Sequence, residues 1–352
     1  VDAQQIESRY LSALIDFREK KYTAARDTLQ TILKAVPNHP PSVQLAAATD
    51  IALGDYGQAE QRLLTLTQRY PQNAYARKLL ATSQLQLRQP EKALASLKPL
   101  LGETQRDAQV WTLAGEANLQ LKQYAQATGY FERAAQADPK NAAVRTELGM
   151  SRYASGDVQQ ALGDLDSASN LASDTGRADV MRILAYTSKK QWDEALKAVA
   201  SLEKKQPNSP IPHNLRGAIY LGKNQNGPAR GSFEKALALD PSYFPAAMNL
   251  ARLDMQDKQP AAARKRFEAV LAKDKSNLQA MLALSAIESE AGHDKEMLDW
   301  LNQAVASHKD AIQPRALLAR YYLQKKDFVR ALAVARDAVS TNPNSPEALD
   351  LL

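Results

Sequence analysis

The sequence predicts an all-α chain, a right-handed superhelix (α-solenoid) of ten stacked helix-turn-helix units. Three observations predict it. A 34-residue pattern starts at Ile6 and returns without insertion or deletion at Pro40, Ala74, Ala108, Ala142, Gly176, Pro210, Phe244, Leu278 and Ile312. Position 20 of the ten copies is alanine nine times, from Ala25, Ala59 and Ala93 to Ala331, with Met297 the one exception. Within each copy the apolar residues fall three and four apart, the spacing of one helical face. A fixed period of this length means that each unit packs mainly on its neighbours, so the core is a long ribbon rather than a ball.

The fourth copy shows how each element arises. Trp111, Ala114, Gly115 and Asn118 hold positions 4, 7, 8 and 11 of a first helix expected over about 108–121. Tyr124, Ala127, Phe131 and Ala134 hold positions 17, 20, 24 and 27 of a second helix expected over about 124–137. Position 8 is small in nine copies, with Ile183 the exception, and position 24 is large and apolar in nine, from Leu29 to Leu301. Small residues on one helix facing large ones on the other let a hairpin close tightly. Position 15 ends the first helix. It is Gly54, Gly156, Gly292 or Asn224 in four copies, residues that tolerate a left-handed backbone. Lys20, Lys122, Lys190, Lys258 and Lys326 hold it in five others, cations near a negative helix end. Pro37, Pro71, Pro139, Pro207, Pro241 and Pro343 stand at position 32, where proline stops the second helix. Copies three, five, eight and nine lack it, which marks 102–107 and 172–177 as the expected irregular stretches.

These residues carry a resemblance. The frame W-x2-L-G-x2-Y…A-x3-F…P resembles the tetratricopeptide repeat (TPR), and it covers the chain from Ile6 onward. Three runs, Pro241–Asp274, His213–Lys223 and Pro314–Val339, look like the TPR lipoproteins of bacterial exosortase, or PEP-CTERM, protein-sorting systems. That resemblance implies a non-catalytic scaffold of the bacterial envelope, in the periplasm and anchored to the outer membrane by lipid, working beside exopolysaccharide export and sorting components. The chain has no cysteine, so the lipid-bearing residue of that family has no counterpart here. The chain opens on Val1 and stops seven residues into an eleventh copy that begins at Pro346. A single array over 1–352, cut from a longer protein, is the expected organisation, with any anchor or targeting segment beyond it.

Composition limits the function classes. The net charge is 45 − 39 = +6, spread over ten copies with acidic and basic residues alternating. That pattern reads as solvated faces and does not point to a nucleic-acid partner. No apolar run approaches the ~18 residues of a membrane span. Without cysteine there is no thiolate chemistry or Cys-ligated zinc.

Catalytic motifs are weak. Gly217 to Lys223 satisfies GxxxxGK, but Asn224 follows where a phosphate loop needs Ser or Thr, and the run falls inside an expected helix. His39, His213, His293 and His308 lie in different copies with no ligand spacing. No Ser/His/Asp set assembles, and no cofactor is expected.

A binding surface is better supported. The inner wall of such an array is lined by first helices at positions 2, 5, 9, 12 and 13, a stripe offset from the packing positions. In copies five to eight that stripe gives Met150, Tyr153, Leu184, Asn214, Met248, Arg252 and Met255 as the candidate groove. Methionine and aromatic side chains suit an extended or helical peptide. Packing between neighbouring helices is the competing use of the same residues. Some TPR domains grip a terminal carboxylate with Lys at position 5 and Asn at position 9. Here Lys78 is followed by Thr82 and Asn214 by Ala218, so that clamp is not assembled. Arg182 and Arg216 both hold position 7, normally apolar. Their expected role is to lay their stems on the apolar wall with the heads in water; gripping an acidic partner or glycan carboxylate is the alternative. At the level of function, a glycan-handling protein of polysaccharide secretion and a general cytoplasmic adaptor are the alternatives. Only three tryptophans occur, and Trp111 is at a packing position, which favours a protein partner over a glycan.

Overall fold

A computed structural model describes residues 3–102, 106–171, 176–343 and 345–352. Contacts divide the chain into two compact units, Val1–Ala185 and Tyr186–Leu352. Among the described residues the chain is helical, with no strand. The first unit holds α1 (Ala3–Arg18), α2 (Tyr22–Ala35), α3 (Pro40–Ala52), α4 (Tyr56–Arg69), α5 (Ala74–Gln86), α6 (Pro90–Leu97), α7 (Ala108–Gln120), α8 (Tyr124–Ala137), α9 (Ala142–Ser155) and α10 (Val158–Leu171). The division falls within α11 (Arg177–Ser188). The second unit holds α12 (Trp192–Lys205), α13 (Pro210–Gly222), α14 (Asn226–Leu239), α15 (Phe244–Gln256), α16 (Pro260–Lys273), α17 (Leu278–Glu290), α18 (Asp294–Ser307), α19 (Ile312–Gln324), α20 (Phe328–Thr341) and α21 (Pro346–Leu349). The helices of copy four end within a residue of their expected bounds.

Each first helix stops by the same device. All ten residues at position 15 have positive φ, from Lys190 at 57° to Gly156 at 94°. The sequence reading reserves the left-handed backbone for Gly and Asn; the lysines and Arg88 adopt it as well. The reason is hydrogen bonding. In copy three the Gln89 N–H donates to the Gln84 carbonyl and the Arg88 N–H to the Leu85 carbonyl, the paired bonds of a Schellman motif. The same pair recurs in every copy, as in Gln259 to Asp254 and Lys258 to Met255. A non-glycine residue there carries a cost of about 1–2 kcal/mol, offset by the carbonyls it satisfies.

Except for α6, the second helices end at position 30 with or without proline. Lys273 and Ser307 terminate α16 and α18, in the two copies with lysine at position 32. After α16 the side chain of Asp274 accepts hydrogen bonds from the N–H and hydroxyl of Ser276, so a side-chain turn does the work assigned to proline. Of the stretches expected to be irregular, 103–105 and 172–175 lie outside the described residues. An irregularity does occur just before the first of them. Pro99 removes an N–H and crowds the preceding turn, and α6 gives way at Leu97 to a 3-10 turn over Lys98–Leu100. New helices begin with side-chain caps at position 34. Asn73, Asp107, Asn141, Ser209, Asn277 and Ser345 each accept from an N–H in the first turn.

The core repeats as three-helix clusters, a hairpin plus the first helix of the next copy. Ala47, Ala59, Leu63, Leu66, Ala76 and Leu80 form one from α3, α4 and α5. Ala229, Phe233, Ala236, Ala246 and Leu250 of α14 and α15, with Tyr220 and Leu221 of α13 packed against them, form another in the second unit. The small residues are required by distance. A Cβ added to Gly115 would lie 2.7 Å from the Phe131 ring, and one added to Gly149 would lie 2.7 Å from Leu165.

Two stability predictions follow from these contacts. Gly115→Ala should destabilise by about 1–2 kcal/mol, the overpacking penalty outweighing the gain in helix propensity. Adding Phe131→Leu should recover part of that loss. In the same copy Gly129 has nothing within 4 Å of a new Cβ, so Gly129→Ala should instead stabilise by about 0.5–1 kcal/mol. Urea midpoints of the three variants check both signs. Lys122→Gly should gain up to about 1 kcal/mol by relieving the left-handed turn, read as a raised melting temperature.

Candidate binding surface on the first helices

The expected groove residues lie in two sets, one in each compact unit. In the first, α9 is fixed at its start by the Asn141 side chain, which accepts from the N–H groups of Ala143 and Val144, and at its end by left-handed Gly156. That setting half-buries Met150 and Tyr153. Arg152 beside them turns to the second helices, where it pairs with Asp164 and, at 2.8 Å, Glu132. Leu184 on α11 is 40% exposed. Thr146, on the same stripe, is buried with its hydroxyl on the Ala142 carbonyl.

In the second unit α15 presents Met248, Arg252 and Met255, all exposed and one or two turns apart. Asn214 on α13 is half-buried, and its side-chain oxygen accepts from Asn249 Nδ2 at 3.2 Å. It is therefore partly used in helix–helix contact.

Several other expectations resolve. Lys78 Nζ lies 2.6 Å from Asp107 Oδ2, so the one clamp-like lysine already has a carboxylate. Trp111 is buried, stacked on Tyr130 at 6.0 Å and under the Arg133 guanidinium at 4.9 Å. It serves packing and offers no sugar platform. Arg182 and Arg216 do not release their heads to water. Arg182 pairs with Asp166 at 2.8 Å and Asp179 at 3.1 Å, and Arg216 pairs with Glu203 at 2.5 Å. Each guanidinium is neutralised by carboxylates of its own unit, which corrects the snorkelling expectation and removes both from the list of free anion grips. The run from Gly217 lies inside α13, so its N–H groups are spent in helical bonds rather than free for phosphate; Gly222 packs where a Cβ would meet Trp192 at 2.7 Å.

A set of buried ion pairs lies outside the expectations drawn from the sequence. Asp50, Asp254 and Glu288, all at position 11, are at most 2% exposed. Asp50 pairs with Arg62 twelve residues on, and Asp254 with Arg266 at the same separation. Asp254 also meets Arg230, and Glu288 meets Arg264, twenty-four residues earlier in both cases. Arg152 with Asp164 repeats the twelve-residue spacing with the signs exchanged. Burial pushes the Asp50 and Asp164 carboxyls up while their arginines pull them back. Acidic residues at position 11 with arginine at position 21 or 23 were the available signal.

Among the described residues no group of three or more His, Asp or Glu is placed to hold a metal ion, and no helix is long and apolar enough to cross a membrane. The histidines do separate jobs. His39 bonds Ser42 at 2.8 Å, His293 bonds the buried Glu288 at 2.8 Å, and His213 sits 3.5 Å from Glu203.

A tetratricopeptide repeat family model matches residues 16–81, 50–117, 118–179 and 220–288, well over half of the chain. The chain belongs to the tetratricopeptide repeat family. Human mitochondrial import receptor subunit TOM70 is 24% identical over 192 residues, 52% of this chain and 31% of that protein. The chain thus spans about a third of that curated relative's length. Among solved structures, a TPR protein from Parabacteroides merdae aligns with a TM-score of 0.55 at 15% identity, over 70% of this chain and 98% of that one. Yeast Tom70 aligns with a TM-score of 0.50 at 15% identity, over 98% and 86%. These are likenesses of fold. TPR arrays act as scaffolds for protein interaction, typically without chemistry of their own.

His213 supplies a pH test of the packing. Burial lowers its pKa, with Arg216 and Lys235 adding to the shift and Glu203 opposing it. The unfolded chain then takes up the proton more readily, so this group's contribution is full above its unfolded pKa of about 6.5 and is lost as pH falls below it. Between pH 7.5 and 5.5 the parent should lose more stability than His213→Gln, measured as the difference in urea midpoints.

Proposed function

We propose that this chain is a binding scaffold of the bacterial cell envelope that holds a segment of another protein along its first helices, beside exopolysaccharide export or PEP-CTERM sorting components. One observation carries the binding reading. On α15, Met248, Arg252 and Met255 stand exposed together at stripe positions, although the bulk of the apolar residues at packing positions are buried. Exposed methionines form an adaptable apolar surface. The relative named as an import receptor supports a role in holding another polypeptide. The envelope setting rests on the resemblance of Pro241–Asp274 and Pro314–Val339 to sorting-system lipoproteins.

The test is capture from an envelope extract. The parent chain and a variant with Met150, Tyr153, Leu184, Met248 and Met255 changed to Ser are compared, with circular dichroism establishing that the variant folds. A protein retained by the parent and reduced at least tenfold on the variant is the expected result. Equal retention would sink the first-helix surface as the working site, and recovery of polysaccharide alone would replace the protein partner with a glycan.

A further inference from the structure

Met297 is the single departure from alanine at position 20. Between α17 and α19 lies a pocket of 330 Å³. Leu282, Met297, Leu301 and Leu317 give it an apolar floor, and Glu290 and Arg320 stand on its rim. An alanine would present only a methyl group here, whereas a methionine thioether lines the floor with a long, flexible side chain. One wall is held in place, because the Tyr321 hydroxyl donates to Asp294 Oδ2 at 3.0 Å and Lys325 meets the same carboxylate at 2.7 Å.

Charge identifies what fits. Arg252 in copy eight and Arg320 in copy ten share position 9, one copy to either side of the small Ala286. Both are exposed, and among the described residues neither has a hydrogen-bond or ion-pair partner. Arg336 of copy ten is also exposed and without a hydrogen-bond or ion-pair partner among the described residues, but most neighbouring arginines differ. Arg230, Arg264, Arg266, Arg315 and Arg330 all have carboxylates. Glu290 is the one carboxylate on the stripe between them. Arg320 lines the pocket itself, and Arg252 holds the same position two copies earlier, each with its guanidinium uncommitted to the fold.

From this geometry we infer that the first-helix surface of copies eight to ten binds an extended peptide. The peptide places one bulky apolar side chain in the pocket over Met297 and acidic residues on Arg252 and Arg320. This deepens the proposed scaffold function and rests on it. Packed helices lie about 8–10 Å apart, and α15, α17 and α19 are not in close contact with one another, so the two arginines are separated by upward of about 20 Å. A strand advances about 3.3 Å per residue, so the two acidic residues fall at least about six positions apart with the apolar one between them. Glu290 keeps further carboxylates away from the middle of the segment. Arginine suits the ends, because its fork takes a carboxylate by two parallel bonds.

The experiment is selection from a phage-displayed random decapeptide library on the whole chain. Two variants are run in parallel, Arg252→Glu/Arg320→Glu and Ser289→Trp, which fills the pocket mouth from an exposed position. Circular dichroism confirms the fold of each. The expected result is an acidic–apolar–acidic motif on the parent. A synthetic peptide of that motif should bind the charge-reversed chain and the Ser289→Trp chain roughly tenfold or more weakly, and its binding to the parent should weaken with salt. Enrichment of basic flanks on the charge-reversed chain would add direct support. The inference is overturned by a motif without acidic residues, by no enrichment, or by the same motif bound equally by all three chains. If these peptides fail while the five-serine variant still loses its captured protein, the scaffold function stands and this site is wrong.

Discussion

Everything in this array depends on how closely the two helices of a hairpin approach. Alanine at position 20 and glycine or alanine at position 8 remove the side-chain bulk between the backbones, and a leucine or phenylalanine at position 24 fills what remains. Where position 8 is glycine, as at Gly115, the partner ring of Phe131 occupies the very place a Cβ would take. Close packing of this kind is unforgiving of extra volume. It also explains why the core is a chain of three-helix clusters: a closed hairpin leaves one further apolar face, and the first helix of the next copy covers it.

The charged residues divide by the same logic. Those reaching into seams between helices are buried and must be matched, since an unpaired charge there would be costly. Hence the arginines facing Asp50, Asp254 and Glu288, and the pairing of Arg182 and Arg216. Part of the first-helix stripe faces no such demand. Arg252 and Arg320 carry no partner, and Met248 and Met255 carry no cover.

Much of the architecture was legible because the repeat supplies ten readings of each position. Helix bounds in copy four, the closed hairpins and the packing role of Trp111 all follow from spacing and side-chain size. What escaped is conformational or relational. A lysine gives no sign that its backbone will turn left-handed, since the hydrogen bonds that demand it belong to residues before and after it. Pro99 is visible in the sequence, but only its place inside a second helix makes it a break. The ion pairs at separations of twelve and twenty-four cross between helices, and no helical periodicity reports them. The candidate site was half legible. The stripe positions follow from helical geometry, whereas the pocket over Met297 required the neighbouring copy to be in place.

The shared left-handed turn at position 15 also says how such a chain can change its length. Every copy enters and leaves each turn with the same backbone geometry, so a whole unit can be gained or lost with both junctions already compatible. A single added residue within a helix has no such refuge. It would rotate everything beyond it by about 100°, carrying alanines out of the seam and charges into it. Ten copies of identical length are what that asymmetry favours: whole units fit where single residues do not.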